Sequence, residues 1–230
     1  KGNQLKLARR TEQLEALNRV VRHDIRNDMN VLHIWAEELE DHVDATGEQA
    51  LEQILKSSRH IIELTDVARE FIESLGMDDD VNLKPISLRE HLRNELQKKR
   101  ETYPDADFQV VGDLPSVRVR ANEMLSSVFR NLLVNAVEHN DSVTPVVSVS
   151  VTVQADTVEV TIADNGPGIA DALKDEIFGK GEKGLESEGT GVGLYLVKTL
   201  VDRYCGDVWV EDSELGGAEF KVRLRKAENR

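Results

Sequence analysis

One cysteine, five prolines and an aromatic content of 4% leave this 230-residue chain with few structural staples. The lone Cys205 excludes an intrachain disulfide and suits a reducing compartment, where a small buried thiol is the expected role. No stretch approaches the roughly 18 consecutive apolar residues that span a bilayer, and residues 1–10 lack the apolar centre of a secretion signal. The segment is therefore expected to be soluble and cytoplasmic, with no membrane insertion of its own. Basic residues are also scarce. Twenty-nine Lys and Arg stand against 43 Asp and Glu, a net charge of -14, which argues against binding nucleic acid or anionic lipid through bulk electrostatics. Any polyanion needs a local site.

Proline and glycine are both missing from 4–44, where Leu7, Leu14, Leu17, Val21, Ile25, Met29 and Leu32 recur at helical spacing. After a short break at Asp44–Gly47, a second helical pattern runs through Leu51, Ile54, Leu55, Ile61, Ile62, Val67 and Phe71 to Gly76. Two helices joined by a tight turn make an antiparallel hairpin with an uncovered apolar stripe. Pairing with a second copy into a four-helix bundle is the simplest way to cover it, so a homodimer is expected.

Asp78-Asp79-Asp80, with Pro85 close behind, marks a boundary at which the pattern changes to mixed helix and strand. Helices are predicted over 88–102, 122–139 and 194–204, with strands over 108–111, 117–119, 147–153, 158–163, 207–211 and 218–224. This is an α+β chain whose second half is one mixed sheet with helices stacked on one face. The expected division is 1–22 as a coiled-coil helix leading into the hairpin, 23–77 as the dimerisation hairpin, 78–85 as linker and 86–226 as the mixed helix-and-strand domain.

Three motifs follow in order: Asn131-Leu132-Leu133-Val134-Asn135-Ala136, Asp164-Asn165-Gly166-Pro167-Gly168-Ile169 and Gly189-Thr190-Gly191-Val192-Gly193-Leu194. Asp164 ends a strand at a turn, where its carboxylate can accept a hydrogen bond from an exocyclic amine. Asn131 and Asn135 share a helix face, and an asparagine carbonyl is a suitable hard-oxygen ligand for Mg²⁺. The third motif opens a helix, so Gly189, Thr190, Gly191 and Gly193 can present backbone N–H groups to phosphates. Together the three resemble the ATP-binding domain shared by histidine kinases, DNA gyrase, mismatch-repair ATPases and a chaperone family, a two-layer sandwich of the Bergerat type.

The resemblance covers about 83–225. It implies that Asp164 reads adenine N6 with Gly166 and Gly168 lining the base, and that Asn135 holds Mg²⁺. A polar, glycine-containing segment, 178–188, is expected to be a lid over ATP. Sensor kinases often carry Lys or Arg three residues after the second asparagine. Here Glu138 stands there, so the phosphate-facing cation is unassigned, with His139 and the lid lysines Lys180 and Lys183 as candidates. Gly216-Gly217 resembles a last glycine box, with Ala218 in place of a frequent threonine.

Upstream, Val21-Arg22-His23-Asp24-Ile25-Arg26-Asn27 resembles the phosphoacceptor motif of histidine kinases. His23 is then the acceptor, Asp24 its base or orienter, and Asn27, one helical turn on, a positioning residue that also makes reverse phosphatase chemistry available. The resemblance implies two-component signalling: autophosphorylation of His23 with MgATP, then transfer to an aspartate of a response-regulator receiver domain docking near Arg26, Asn30 and Ile34. The input is expected from a sensory domain upstream of Lys1.

Overall fold

The structure is a computed structural model that describes residues 25, 27–36, 38–39, 42–44, 47, 50–51, 53–55, 57–58, 61–62, 65, 83–179 and 192–227. Its contacts divide the chain into two compact units, Lys1–Met77 and Asp78–Arg230. In the first, all the described residues from 27 to 36 and from 50 to 65 are helical. Between the two stretches the Asp44 carboxylate accepts the Gly47 N–H at 2.9 Å, an aspartate cap at the start of the second stretch. Ala36, Leu51 and Leu55 bury one another with Val43 against them, and His33 Nδ1 lies 2.8 Å from Ser58 Oγ. The same unit leaves Ile25, Val31, Leu32, Ile34, Trp35, Leu39 and Ile54 exposed.

The second unit runs β1 (Lys84–Ser87), α1 (Leu88–Thr102), β2 (Asp107–Val111), β3 (Arg118–Ala121), α2 (Leu125–Glu138), β4 (Val146–Val153), β5 (Thr157–Asp164), α3 (Val192–Arg203), β6 (Asp207–Asp212) and β7 (Ala218–Arg225). β1 and β3 form a small antiparallel pair, and the other strands form one sheet in the order β2-β4-β5-β7-β6. Only β2 and β4 run parallel, because β3 and α2 intervene as a crossover. The remaining pairs are antiparallel.

Strand period decides which face is buried. Val147 and Val149, Val158, Val160 and Ile162, and Phe220, Val222 and Leu224 turn inward and are fully or nearly fully buried. Leu92 and Leu96 of α1, Phe129, Leu132 and Leu133 of α2, and Leu196 and Leu200 of α3 are buried as well. The opposite sheet face is a charged ladder: Lys221 bridges Glu211 and Glu219, while Arg223 bonds Glu159 and lies over the Trp209 ring. This α+β two-layer core places the C-terminal end of β5 beside the C-terminal end of α2.

Three departures from the sequence reading are local. β1 occupies 84–87, where no strand was predicted, and α2 begins at Leu125 rather than Asn122. Asn122 is in the preceding turn, its Oδ1 taking the Met124 N–H at 3.1 Å and the buried Tyr204 hydroxyl at 2.5 Å. The third is a correction: Cys205 is exposed, not buried. It ends α3 at φ 54, with Gly206 N–H reaching back to the Val201 carbonyl at 3.0 Å and Cys205 N–H to that of Asp202 at 2.9 Å. This is the left-handed helix end that glycine favours, and its geometry turns the side chain outward. Cys205→Gly is expected to stabilise the domain by about 1 kcal/mol in denaturant unfolding, since an L-residue there carries a left-handed penalty of ~1–2 kcal/mol and glycine's extra unfolded-state freedom takes part of the gain back.

Candidate functional site

The end of β5 builds the polar centre of the domain. Asp164 is 7% exposed, and its Oδ1 accepts the Gly166 N–H at 2.9 Å and the Ala218 N–H at 3.1 Å. Its backbone carbonyl takes the Gly217 N–H at 3.2 Å. Burial pushes the carboxyl above the ordinary aspartate range, and the hydrogen bonds from Gly166 and Ala218 pull it partway back. With both bonds on Oδ1, Oδ2 is the acceptor left for a ligand among the described residues. The missing threonine hydroxyl at 218 therefore leaves a backbone N–H on this carboxylate.

Glycine is required where these segments meet. A Cβ on Gly217 would overlap Asp164 Oδ1 and stand 2.5 Å from the Gly166 nitrogen. Gly168, at φ +72, faces the Gly217 carbonyl across the same gap. Beyond it, the turn from Asp171 to Leu173 is tied to the end of β6 by Lys174, whose ammonium bonds Asp171 at 2.6 Å and Asp212 at 2.8 Å. Phe178 closes this segment against Phe220 edge to face, with ring centroids 6.3 Å apart.

On α2, Asn131 and Asn135 stand one turn apart and are half-buried. Asn131 donates to the Ser127 carbonyl at 2.8 Å, and its Oδ1 lies where a Cβ on Gly193 would come within 2.7 Å. The first and third motifs therefore touch: the start of α3 packs under Asn131 because residue 193 has no side chain. Glu138, exposed at the end of α2, accepts the Tyr103 hydroxyl at 2.6 Å, so its carboxylate is held toward the end of α1. His139 follows as the exposed residue at the helix end.

Of the site residues expected from sequence, the structure brings Asp164, Gly166 and Gly168 together with Gly217, and Asn131 with Gly193. Asn135 shares the α2 face with Asn131. Asn27 is helical and exposed in the first unit. His23, Asp24, Gly189, Thr190, Gly191, Lys180 and Lys183 lie outside the described residues. Sequence reasoning missed the side chain of Asn165, which binds three groups in 140–146. It also missed the partner of Glu138, since nothing local signals a tyrosine 35 residues away.

Residues 121–228 match the family described as histidine kinase-, DNA gyrase B- and HSP90-like ATPase. The adaptive-response sensory kinase SasA of Synechococcus sp. (strain JA-2-3B'a(2-13)) is 27% identical over 231 aligned positions, covering 93% of this chain and 60% of its own. The C4-dicarboxylate transport sensor protein DctB of Rhizobium meliloti is 28% identical, over 90% of this chain and 34% of its own. The chain spans about half the length of the curated relatives it matches. Among solved structures, the catalytic domain of histidine kinase ThkA superposes with a TM-score of 0.57 at 26% identity, over 63% of this chain and 95% of that one. Full-length ShkA in complex with AMPPNP shares the fold over 93% of this chain and 47% of that one, with a TM-score of 0.62 at 22% identity. The motif residues of β5, α2 and α3 thus converge within residues 121–228, the stretch that is similar to the histidine kinase-, DNA gyrase B- and HSP90-like ATPase family and to the ATP-binding domains of sensor histidine kinases.

Proposed function

We propose that this chain is the catalytic portion of a sensor histidine kinase that binds ATP at Asp164, phosphorylates its own His23 and passes the phosphoryl group to an aspartate on the receiver domain of a response regulator. The extent of the matches carries the reading. A chain sharing only the nucleotide-binding fold would align from about residue 121 onward, whereas the sensory kinase SasA aligns over 93% of this chain, N-terminal unit included. In the transfer step a His23 nitrogen attacks the γ-phosphorus, a P–N bond forms, and the bridging P–O bond breaks with its electrons leaving on ADP. Asp24 holds the proton of the other ring nitrogen and takes up the charge that develops on the imidazole. Asn27, one turn further along, serves to position the group.

Asn135 suits Mg²⁺: it is half-buried, and its side chain makes no hydrogen bond among the described residues. Bound there, the ion would neutralise phosphate charge as the bond breaks. The first unit supports a homodimer. Ile25, Leu32 and Leu39 recur every seven residues with Trp35 between them, and all four are exposed within a single copy. The test is incubation of the chain with γ-labelled ATP and Mg²⁺. Label stable in base and lost in acid is the expected phosphohistidine, whereas acid-stable label would place the phosphate on a hydroxyl and overturn the reading.

Asp164→Asn tests base recognition. Asparagine keeps an acceptor for Gly166 and Ala218 but sets an NH₂ where Oδ2 stood, opposite an adenine amine that is itself a donor. ATP affinity is expected to fall about 10- to 100-fold, the worth of a hydrogen bond to a charged group (~1.5–3 kcal/mol). Stability should move the other way. Because the folded-state pKa is raised, the folded protein holds this proton more tightly than the unfolded chain. The stabilisation is full below the ordinary 3.8 and lost as pH rises through the raised value. Asparagine resembles the protonated form at every pH, so the nucleotide-free variant should melt higher at neutral pH, and a lower melting temperature would contradict the assignment. Wild-type ATP affinity should weaken as pH falls through the raised value.

A further inference from the structure

The residue between Asp164 and Gly166 does more than fill a turn. Asn165 uses its whole side-chain amide on the segment that follows α2: Oδ1 accepts the Val146 N–H at 2.8 Å and the Asn140 amide at 2.9 Å, and Nδ2 donates to the Thr144 carbonyl at 3.2 Å. Its backbone carbonyl takes the Ser142 hydroxyl at 2.9 Å. Asn140 is tied in turn to the helix, its amide reaching the Ala136 carbonyl at 3.2 Å, and the Ser142 N–H returns to Asn140 Oδ1 at 3.0 Å. An unbroken chain of hydrogen bonds thus joins the last turn of α2 to the turn that carries Asp164.

Among the described residues, the Asp164 carboxylate is held at only one of its two oxygens, Oδ1. The direction in which Oδ2 faces a ligand depends on where its turn sits, and that is set on one side by Gly217–Ala218 and on the other by Asn165. We propose that Asn165 is a positioning residue for base discrimination, acting through Asp164 to aim the free carboxylate oxygen at the exocyclic amine of the nucleotide. Asn140 and Ser142 are its supports. This rests on the reading of Asp164 as the base-recognising group. Asn165 touches neither nucleotide nor acceptor in this scheme, so its loss should show in discrimination rather than in a uniform loss of binding.

The measurement is calorimetric affinity of the full chain for ATP and for purine riboside triphosphate, which lacks the 6-amino group. Wild type is expected to prefer ATP about 10-fold or more. In Asn165→Ala that preference should shrink at least fivefold, with affinity for the amine-free analogue within about twofold of wild type. Equal losses for both nucleotides, or an unchanged preference, would overturn the proposal. If Asn165→Ala does not unfold cooperatively, Ser142→Ala and Asn140→Ala remove one support each and must both lower the preference, or the proposal fails. A wild type that binds the two nucleotides equally would instead refute the reading of Asp164, and this inference with it.

Discussion

With His23 replaced by alanine, the chain is expected to bind ATP with wild-type affinity and to incorporate less than about 1% of the wild-type label. The contrast between the two readouts is the point. Asp164→Asn lowers phosphorylation by weakening nucleotide binding, so raising ATP should recover part of it. With His23 as the proposed nucleophile, His23→Ala removes it, and no concentration of ATP restores a missing P–N bond. No substitute acceptor is expected, because His33, His42, His60, His91 and His139 all lack the His-Asp pair followed by asparagine one helical turn later. Label retained on the variant, at a rate comparable with wild type, would move the acceptor elsewhere and remove His23 from the mechanism.

How far such residues could be read from sequence depended on whether their signal was local. The carboxylate of Asp164 was legible because a strand with strict alternation, Val158 to Ile162, runs straight into Asp-Asn-Gly, and the buried face of β5 fixes its register. The pairing of Asn131 with Asn135 was legible from helix period alone. The strand Lys84–Ser87 was not. It has four residues, includes Pro85, and exists only because β3 lies alongside it, with Pro85 opposite Arg120 in an edge pair where a missing N–H is tolerated. Cys205 was misread because hydropathy describes a side chain and says nothing of the backbone that aims it; the helix end at φ 54 decides its exposure.

The site divides along the same line. Each motif announced a residue, while the contacts that assemble the site join residues far apart in the chain: hydrogen bonds of Asp164 with Ala218 and Asn165 with Val146, and close packing of Gly193 under Asn131. Glu138 illustrates the cost of reading one position at a time. In isolation it is a negative charge where a phosphate-facing cation is common. In the fold, the Tyr103 hydroxyl at 2.6 Å engages it, and α2 carries no basic residue in its last turn. The departure at 138 therefore spans two elements, Glu138 of α2 and Tyr103 at the end of α1.

Gly217→Ala carries the largest expected structural effect of any single substitution at the site, from the smallest possible side chain. Its methyl group would overlap Asp164 Oδ1 and lie 2.5 Å from the Gly166 nitrogen and 2.6 Å from the Asp164 carbonyl oxygen. Two of those three atoms are backbone, so no rotamer change relieves the contact. The two segments must part, and that breaks the Gly217 N–H bond to the Asp164 carbonyl and the Ala218 N–H bond to its carboxylate. Overpacking of this kind costs about 1–3 kcal/mol and more where the backbone cannot give, while each buried group left unpaired adds ~1–3 kcal/mol. A loss of about 3 kcal/mol or more in denaturant unfolding is expected, with ATP affinity reduced at least 100-fold. Gly216→Ala is the control. Gly216 has φ +104 and no atom within 4 Å of its would-be Cβ, so it carries only the backbone penalty and should leave the Asp164 contacts in place. If Gly217→Ala bound ATP as well as Gly216→Ala does, the close packing of Gly217 on Asp164 would not be what shapes the base pocket.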